Sequence, residues 1–186
     1  VHGAVFPYDF IRNQPMDASL ANVYSYVKQE RANVNQQLIL LDNGDILQGQ
    51  PPVYFSNFID DTKQNLISRV FNFMKYDATT IGNHDIETGP KVYRSIEKQL
   101  KMPLMAANAI NTKTGKPAFK PYTIIKKDGV KIAVLGLTSP GIPHWLPKIL
   151  WPDMHFEDMI VTANYWVKHI QKIEKPHIII GLFHSG

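Results

Sequence analysis

The chain has 186 residues, enough for one domain with a buried core, and its 44% apolar and 19% charged residues argue against a disordered protein. The net charge of +4 comes from twenty scattered Lys and Arg residues without a dense basic run, which argues against a nucleic-acid polymer as the partner. No cysteine is present, so disulfides and thiolate metal sites are excluded, and no apolar run approaches the roughly 20 residues of a membrane span.

The first half of the chain alternates between helical and strand-like segments. Asp17 is a suitable N-cap for a helix whose apolar residues recur on one face over residues 20–27. Residues 37–41 form a compact apolar run, which predicts a buried strand. A second amphipathic helix is predicted at residues 66–74, and a short strand at residues 78–81 follows it.

The second half continues this alternation. A helix is predicted at residues 92–100 and ends before Pro103, which precedes another strand. Asp128-Gly129 is typical of a hairpin turn between two apolar segments. The remaining predicted segments are a strand at 104–107, the two hairpin strands at 122–125 and 130–137, and a Pro- and Gly-rich loop at 139–152. A last helix at 159–170 and a final buried strand at 177–183 follow.

This order of elements predicts an α/β fold with a largely parallel sheet flanked by helices. The hairpin indicates that the sheet is mixed or that two sheets pack together. We find no internal repeat and no second domain, so residues 1–186 are interpreted as one domain, or part of one.

Polar side chains follow three of the predicted strands at the point where each strand ends. The residues concerned are Asp42 and Asp45 after the first strand, Asn83, His84 and Asp85 after the second, and His184 after the last. In open α/β sheets, ligands bind outside the carboxyl ends of the strands. We therefore expect these side chains to converge on one patch.

The residue types indicate which ligand that patch would take. Carboxylate, amide and imidazole groups suit Zn, Mn or Fe, and a carboxylate can bridge two cations roughly 3.5–4 Å apart. Glycines beside these residues let the backbone turn sharply and approach the site, and they are Gly44, Gly49, Gly82, Gly181 and Gly186.

Three short motifs resemble successive signatures of one enzyme family. They are Gly-Asp-Ile-Leu-Gln-Gly at 44–49, Gly-Asn-His-Asp at 82–85 and Gly-Leu-Phe-His at 181–184. Together they resemble the calcineurin-like metallophosphoesterases, and Val-His-Gly at 1–3 resembles the end of that family's first signature, Asp-x-His-Gly. Segments at 107–108, 120–122, 136–138 and 140–143 resemble the branch of 5'-nucleotidases and 2',3'-cyclic-nucleotide 2'-phosphodiesterases. The resemblance implies a layered metallophosphoesterase-like fold with mixed sheets.

The resemblance also implies roles for individual residues. His2 would ligate a first divalent metal ion, and Asp45 would bridge it to a second, which Asn83 and His184 would ligate. His84 would not be a primary ligand but would stabilise the transition state and assist the leaving oxygen.

The orienting partner of His84 stays open between two carboxylates. Glu87 stands where the nucleotidase branch is expected to have Asp, and its longer side chain would serve the same purpose. Asp85 is the competing candidate.

The implied function is hydrolysis of nucleotides or other small phosphate esters, with in-line attack by a metal-held hydroxide. The family's C-terminal substrate-binding domain is not found in these residues, and neither are the Asp of the first signature and the final Gly-His-x-His signature. We therefore expect the chain alone to bind metal poorly and to hydrolyse little. The resemblance also implies a periplasmic, cell-surface or secreted location.

Simpler interpretations of the same residues remain. Asp45 and Asn83-His84 would be ordinary turn residues, His184 a structural histidine and Glu87 a solvated acid in the first turn of a helix. The whole chain would then be a non-catalytic nucleotide- or phosphate-binding module or an inactive relative. Packing is the favoured role of three loop residues, His144, Trp145 and Trp151, over a role as a lid.

Overall fold

A computed structural model of the chain describes residues 2–60 and 63–185. Its strands are β1 (Tyr8–Asp9), β2 (Gln14–Pro15), β3 (Leu41–Asp42), β4 (Ala78–Thr80), β5 (Leu104–Met105), β6 (Ala109–Asn111), β7 (Tyr122–Lys127), β8 (Val130–Leu137), β9 (Met154–Phe156) and β10 (Ile178–Phe183). Its helices are α1 (Leu20–Ala32), α2 (Pro51–Phe58), α3 (Leu66–Met74), α4 (Asn83–Glu87), α5 (Pro90–Gln99), α6 (Ile142–Trp145) and α7 (Met159–Ile173), with a 3-10 turn at Lys148–Leu150. Across these described ranges, no helix combines the length and apolar character needed to cross a bilayer.

Two three-stranded sheets form the centre of the molecule. In the first sheet, β4 pairs in parallel with β3 and β5. In the second, β8 lies between β10, to which it is parallel, and β7, to which it is antiparallel. The inner faces of the sheets meet through apolar residues such as Ala78, Met105 and Val134. The predicted α/β class with mixed sheets is confirmed, in the form of two packed sheets.

Helices cover the outer faces of both sheets. Buried residues of α1, α3 and α5 form one cluster next to the first sheet, with Phe71 and Ile96 among its most buried members. On the other side, Ile170 of α7 packs against Ala133 and Leu135 of β8. The helices predicted from the sequence therefore correspond to the layers of the fold, although one apolar residue of α7, Ile160, is 72% exposed.

The predicted start of α1 is wrong by two residues. Ser19, not Asp17, is the N-cap, because the Ser19 side chain accepts a hydrogen bond from the Asn22 backbone N–H. Asp17 is exposed.

Two predicted buried strands are shorter or more exposed than expected. Of residues 37–41 only Leu41 joins a strand. Gln37 is exposed, and residues 38–40 are half-buried coil held by contacts such as Leu40 N–H to the Asp77 carboxylate at 2.8 Å. Strand β10 lies at a sheet edge in the described part of the chain, and Ile178 and Phe183 are about half exposed.

The hairpin prediction is confirmed. Strands β7 and β8 pair with Lys127 opposite Val130, which leaves a two-residue turn. Both turn residues, Asp128 and Gly129, have positive φ, the conformation that a tight hairpin turn of this type requires.

Candidate metal centre and active site

A turn at the end of β3 carries the first group of candidate residues. Asp45 has a φ of 60°, and its Oδ1 accepts a hydrogen bond of 2.9 Å from the His84 backbone N–H. Asp42 points elsewhere, since its Oδ2 accepts from Thr79 Oγ1 at 2.6 Å and from Gly44 N–H at 2.9 Å. Burial raises the pKa of Asp42 to about 6. The turn therefore presents Asp45, and not Asp42, to the neighbouring strands.

Asp85 holds this turn in place from the first turn of α4. Its Oδ1 accepts from the N–H groups of Ile46 and Leu47, both at 2.9 Å, and its Oδ2 accepts from those of Asp45 and Gly82 at 2.9 and 2.8 Å. Burial raises the pKa of the Asp85 carboxyl. The backbone N–H donors act in the other direction and lower this pKa, because they stabilise the charged carboxylate and would face a hydrogen if it were protonated. Asp85 is a buried structural carboxylate.

Three candidate ligands converge where β3, β4 and β10 end. His184 Nε2 lies 3.3 Å from Asp45 Oδ2 and 2.9 Å from Asn83 Oδ1. His2 Nε2 lies 3.9 Å from the same Asp45 oxygen. The residues come from both central sheets and from the N-terminal segment. The structure therefore places His2, Asp45, Asn83 and His184 in one site.

The hydrogen bonds of His184 indicate what this site can hold. Its Nδ1 lies 2.6 Å from the Asn43 carbonyl oxygen, which can only accept, so Nδ1 carries a hydrogen. Nε2 then faces the oxygens of Asp45 and Asn83, and a second proton or a cation between them satisfies all three atoms. The Asp45 contact accordingly raises the pKa of His184.

The spacing of these atoms also fits a divalent cation. Metal–ligand distances of about 2.0–2.2 Å place neighbouring ligand atoms roughly 3.0–3.5 Å apart in octahedral or tetrahedral sites. The 2.9 and 3.3 Å separations at His184 are close to that range. The Nδ1 contact with a backbone carbonyl is the usual outer support of a ligating histidine. The donor set of Asp45, Asn83 and His184 thus fits a metal ion.

A second group of candidate donors also includes Asp45. Ligand atoms of His2, Asp45 and His84 all fall within 4.8 Å of one another. The rings of His2 and His84 meet edge to face, with centroids 5.3 Å apart. Asp45 is therefore shared between two groups of donors, the arrangement that a bridging carboxylate requires.

His84 is oriented by Glu87. His84 Nδ1 lies 2.7 Å from Glu87 Oε2, three residues further along α4, and both side chains are partly exposed. Asp85 makes its contacts with backbone N–H groups instead. Of the two carboxylates left open by the sequence, Glu87 is the one that contacts the His84 side chain.

Close backbone contacts explain two of the glycines beside the site. A Cβ atom at Gly82 would lie 2.2 Å from Asp45 Oδ1, and one at Gly49 would lie 2.2 Å from the carbonyl oxygen of His2. Glycine at these positions lets β4 reach Asp45 and lets the N-terminal segment reach the turn. Gly186, grouped with them from the sequence, and Val1 of the first motif lie outside the described residues.

The loop residues His144, Trp145 and Trp151 take no part in the contacts described for this centre, and His144 is exposed, against the packing interpretation. Trp151 packs against Phe156 at a ring distance of 5.9 Å, and its Nε1 donates to the Leu146 carbonyl, as the packing interpretation expects. Trp145 does not follow that interpretation, since it is 54% exposed.

The structure also shows a cleft that the sequence reasoning missed. It has a volume of about 500 Å³ and adjoins His84 and Glu87. Helix α2 supplies much of its wall through Tyr54 and Phe58. The aromatic residues that follow Pro51-Pro52 in the sequence are the signal that could have indicated it.

Comparisons with known proteins agree with this geometry. Protein UshA of Escherichia coli K12 is 32% identical over 180 residues, which are 95% of this chain and 32% of the relative. A 2',3'-cyclic-nucleotide 2'-phosphodiesterase/3'-nucleotidase of Haemophilus influenzae is 29% identical over 198 residues, covering all of this chain and 30% of the relative. The crystal structure of the calcineurin-like phosphoesterase YfkN from Bacillus subtilis superimposes with a TM-score of 0.89 at 29% identity, over all of this chain and 59% of that one. No family model matches the chain.

The fold and these relatives define the chain as a calcineurin-like phosphoesterase domain, in whole or in part. Within that class its relatives include UshA, YfkN and proteins named as 5'-nucleotidases and cyclic-nucleotide phosphodiesterases, as the motifs indicated. The chain spans only about a third of the length of the first curated relatives that it matches, or less.

Proposed function

We propose that this chain carries the metal centre of a hydrolase that cleaves phosphate esters of nucleotides. The observation that supports this most directly is the sharing of Asp45 between two groups of donors at the ends of the central strands. The names of the relatives, which include nucleotidases and cyclic-nucleotide phosphodiesterases, support the substrate class.

Two divalent ions would be held by residues already described. Asp45 would be the shared ligand, His2 would serve one ion, and Asn83 and His184 would serve the other. Bound there, divalent cations would supply positive charge for the phosphoryl oxygens and an acidified water as the nucleophile. The donor set of oxygen and imidazole atoms suits Zn, Mn or Fe.

His84 would act on the leaving oxygen and not as a primary ligand. The contact with Glu87 fixes the imidazole ring and occupies Nδ1, so Nε2 is the atom free to transfer a proton. The Glu87 carboxylate stabilises the ring while Nε2 carries that proton. Since ligand atoms of His84 also lie close to those of His2 and Asp45, the metal content of a His84 variant distinguishes this role from that of a metal ligand.

Two substitutions in the complete protein test these roles. We expect Asp45→Asn to reduce the bound metal and the hydrolysis rate together. We expect His84→Asn to reduce the rate by about 10²–10⁴-fold while the metal content, measured by atomic emission, stays unchanged. His155→Asn, at an exposed histidine, is the matched control. Loss of metal from His84→Asn would refute the assignment.

Hydrolysis of an aryl phosphate with and without a chelator separates this proposal from a non-catalytic binding module or an inactive relative. Activity that is absent in both conditions would favour those alternatives.

Because the chain spans about a third or less of its curated relatives, we further propose that another domain contributes to substrate binding. Weak metal binding by the chain alone and a periplasmic or cell-surface location stay predictions from the resemblance.

A further inference from the structure

A chain of buried amide groups connects three helices to the turn that carries Asp45. It begins at Gln99 of α5, whose Oε1 accepts a hydrogen bond of 2.7 Å from the backbone N–H of Asn65, the N-cap of α3. Asn65 Nδ2 donates to Asn57 Oδ1 at 2.8 Å, and Asn57 Nδ2 donates to the Leu47 carbonyl oxygen at 2.7 Å. Asn57 and Asn65 are only 5% and 7% exposed. The chain of bonds therefore ends on the backbone two residues after Asp45.

A single backbone donor fixes the orientation of both asparagine amides. The Ile67 N–H donates to Asn65 Oδ1 at 2.9 Å, so Asn65 Nδ2 is the atom that faces Asn57. Asn57 then presents its oxygen to Asn65 and its NH₂ group to the Leu47 carbonyl. If the Asn57 amide turned around, it would face a donor with a donor and an acceptor with an acceptor. The buried network therefore specifies one arrangement.

Leu47 is held at both of its backbone polar groups. Its N–H donates to Asp85 Oδ1 at 2.9 Å, and its carbonyl accepts from Asn57. Asp85 belongs to α4 and secures the part of the turn nearer Asp45. Asn57 belongs to α2 and secures the point from which the backbone continues to residues 48 and 49. The two side chains therefore support different parts of the same segment.

The backbone that follows Leu47 lies directly against the segment that carries His2. A Cβ atom at Gly49 would lie 2.2 Å from the His2 carbonyl oxygen, and one at Gly3 would lie 2.8 Å from the Gln48 carbonyl oxygen. Contacts this close leave no space for either segment to shift without the other. The position of His2 therefore depends on where the Leu47 carbonyl is held.

We propose that Asn57 is a positioning residue for His2, and through His2 for the metal ion that this histidine would ligate. Asn57 acts through the Leu47 carbonyl and not by contact with an ion. Asn83 and His184 belong to other segments, so loss of the Asn57 bond affects the two ions unequally. The inference rests on the proposed function for the metal ion, whereas the contacts that hold His2 do not depend on it.

Titration of the metal-free complete protein with Mn²⁺, followed by calorimetry, tests this proposal. Asn57→Asp keeps the acceptor for Asn65 but places a carboxylate oxygen against the Leu47 carbonyl oxygen, which can only accept. We expect the Kd of one ion to rise about tenfold, as when a residue that supports a metal ligand is lost, and the other Kd to stay within about twofold. Asn72→Asp is the matched control and should change neither Kd, because Asn72 donates to the Gln99 carbonyl at 2.9 Å and so joins α3 to α5 away from the turn.

Two single variants identify the ion concerned. The Kd that rises in Asn57→Asp should belong to the binding step that His2→Ala removes, while the step that His184→Ala removes is preserved. Weakening of the His184 step alone, equal weakening of both steps, or the same loss in Asn72→Asp would overturn the proposal. Unchanged affinity for both ions would overturn it as well. Asn57→Ala removes the same donor without adding a charge, and it replaces Asn57→Asp if that variant does not fold.

Hydrogen exchange of the metal-free protein separates failure of this inference from failure of the proposed function. If the unaltered protein binds no Mn²⁺, the proposed function fails, and the positioning is still measurable. We expect amide exchange over residues 2–5 and 47–49 to be about tenfold faster in Asn57→Asp, because the bond that fixes both segments is lost. Asn72→Asp should leave that exchange unchanged. Equal exchange in the wild type and Asn57→Asp would overturn the inference.

Discussion

Asp85→Asn is the substitution that most directly tests how the Asp45 turn is held. The carboxylate accepts four backbone hydrogen bonds, two on each oxygen. An amide keeps one accepting oxygen and places an NH₂ group against the other two N–H donors. Hydrogen bonds to a charged group contribute about 1.5–3 kcal/mol each, so we expect the free energy of unfolding to fall by about 3–6 kcal/mol.

Urea denaturation measures this loss of stability. Titration with Mn²⁺, at a temperature where the variant stays folded, measures the change in metal affinity. We expect weaker metal binding, because the N–H of Asp45 is one of the donors that can be released. Asp153→Asn is the control, since Asp153 forms an exposed ion pair with Lys113 that is worth about 1 kcal/mol or less. A loss below about 1 kcal/mol in Asp85→Asn would refute the reasoning.

Three further predictions concern close packing, pH and the core. Gly82→Ala should abolish metal binding measured by calorimetry, because the new Cβ would lie 2.2 Å from Asp45 Oδ1; unchanged affinity would contradict this contact. Because folding raises the pKa of Asp42 from 3.8 to about 6, the native state binds more protons between these values, and stability falls as pH rises through that window. The free energy of unfolding of the wild type relative to Asp42→Asn should therefore decrease by about 1–3 kcal/mol from pH 4 to pH 7 in urea titrations, and a constant difference would refute it. Phe71→Ala should cost about 3–5 kcal/mol, because Phe71 is 1% exposed, whereas Phe73→Ala, at a residue 66% exposed, should cost about 1 kcal/mol or less in the same assay.

The parts of the fold that the sequence predicted well are those with strong local signals. The stripe of α3 and the Asp128-Gly129 turn each specify an element through periodicity or turn chemistry, and both are present. The start of α1 was mispredicted because Asp17 and Ser19 are both good caps, and the choice depends on which side chain is buried against the fold. Local sequence does not contain that information.

The sequence identified the site residues that directly follow strands. It did not show which of two neighbouring carboxylates faces which partner, because tertiary contacts determine that. Asp45 and Asp42 occupy the same turn, and only the pairing of β3 with β4 shows that Asp42 contacts Thr79. In the same way, Asp85 and Glu87 are two residues apart, but the first faces the Asp45 turn and the second faces His84. The cleft beside α2 depends on the approach of the β1–β2 loop, for which no short motif exists.

The edge position of β10 has a consequence for handling the chain in solution. Among the described residues β10 pairs as a strand only with β8, so its other side is a sheet edge, where the Asn43 side chain donates a hydrogen bond to the Phe183 carbonyl at one end. That segment is uncharged and rich in isoleucine, a composition that favours strand addition between molecules. Copies of the isolated chain should therefore self-associate through this strand as concentration rises, and a charged substitution at the exposed Ile178 should improve solubility.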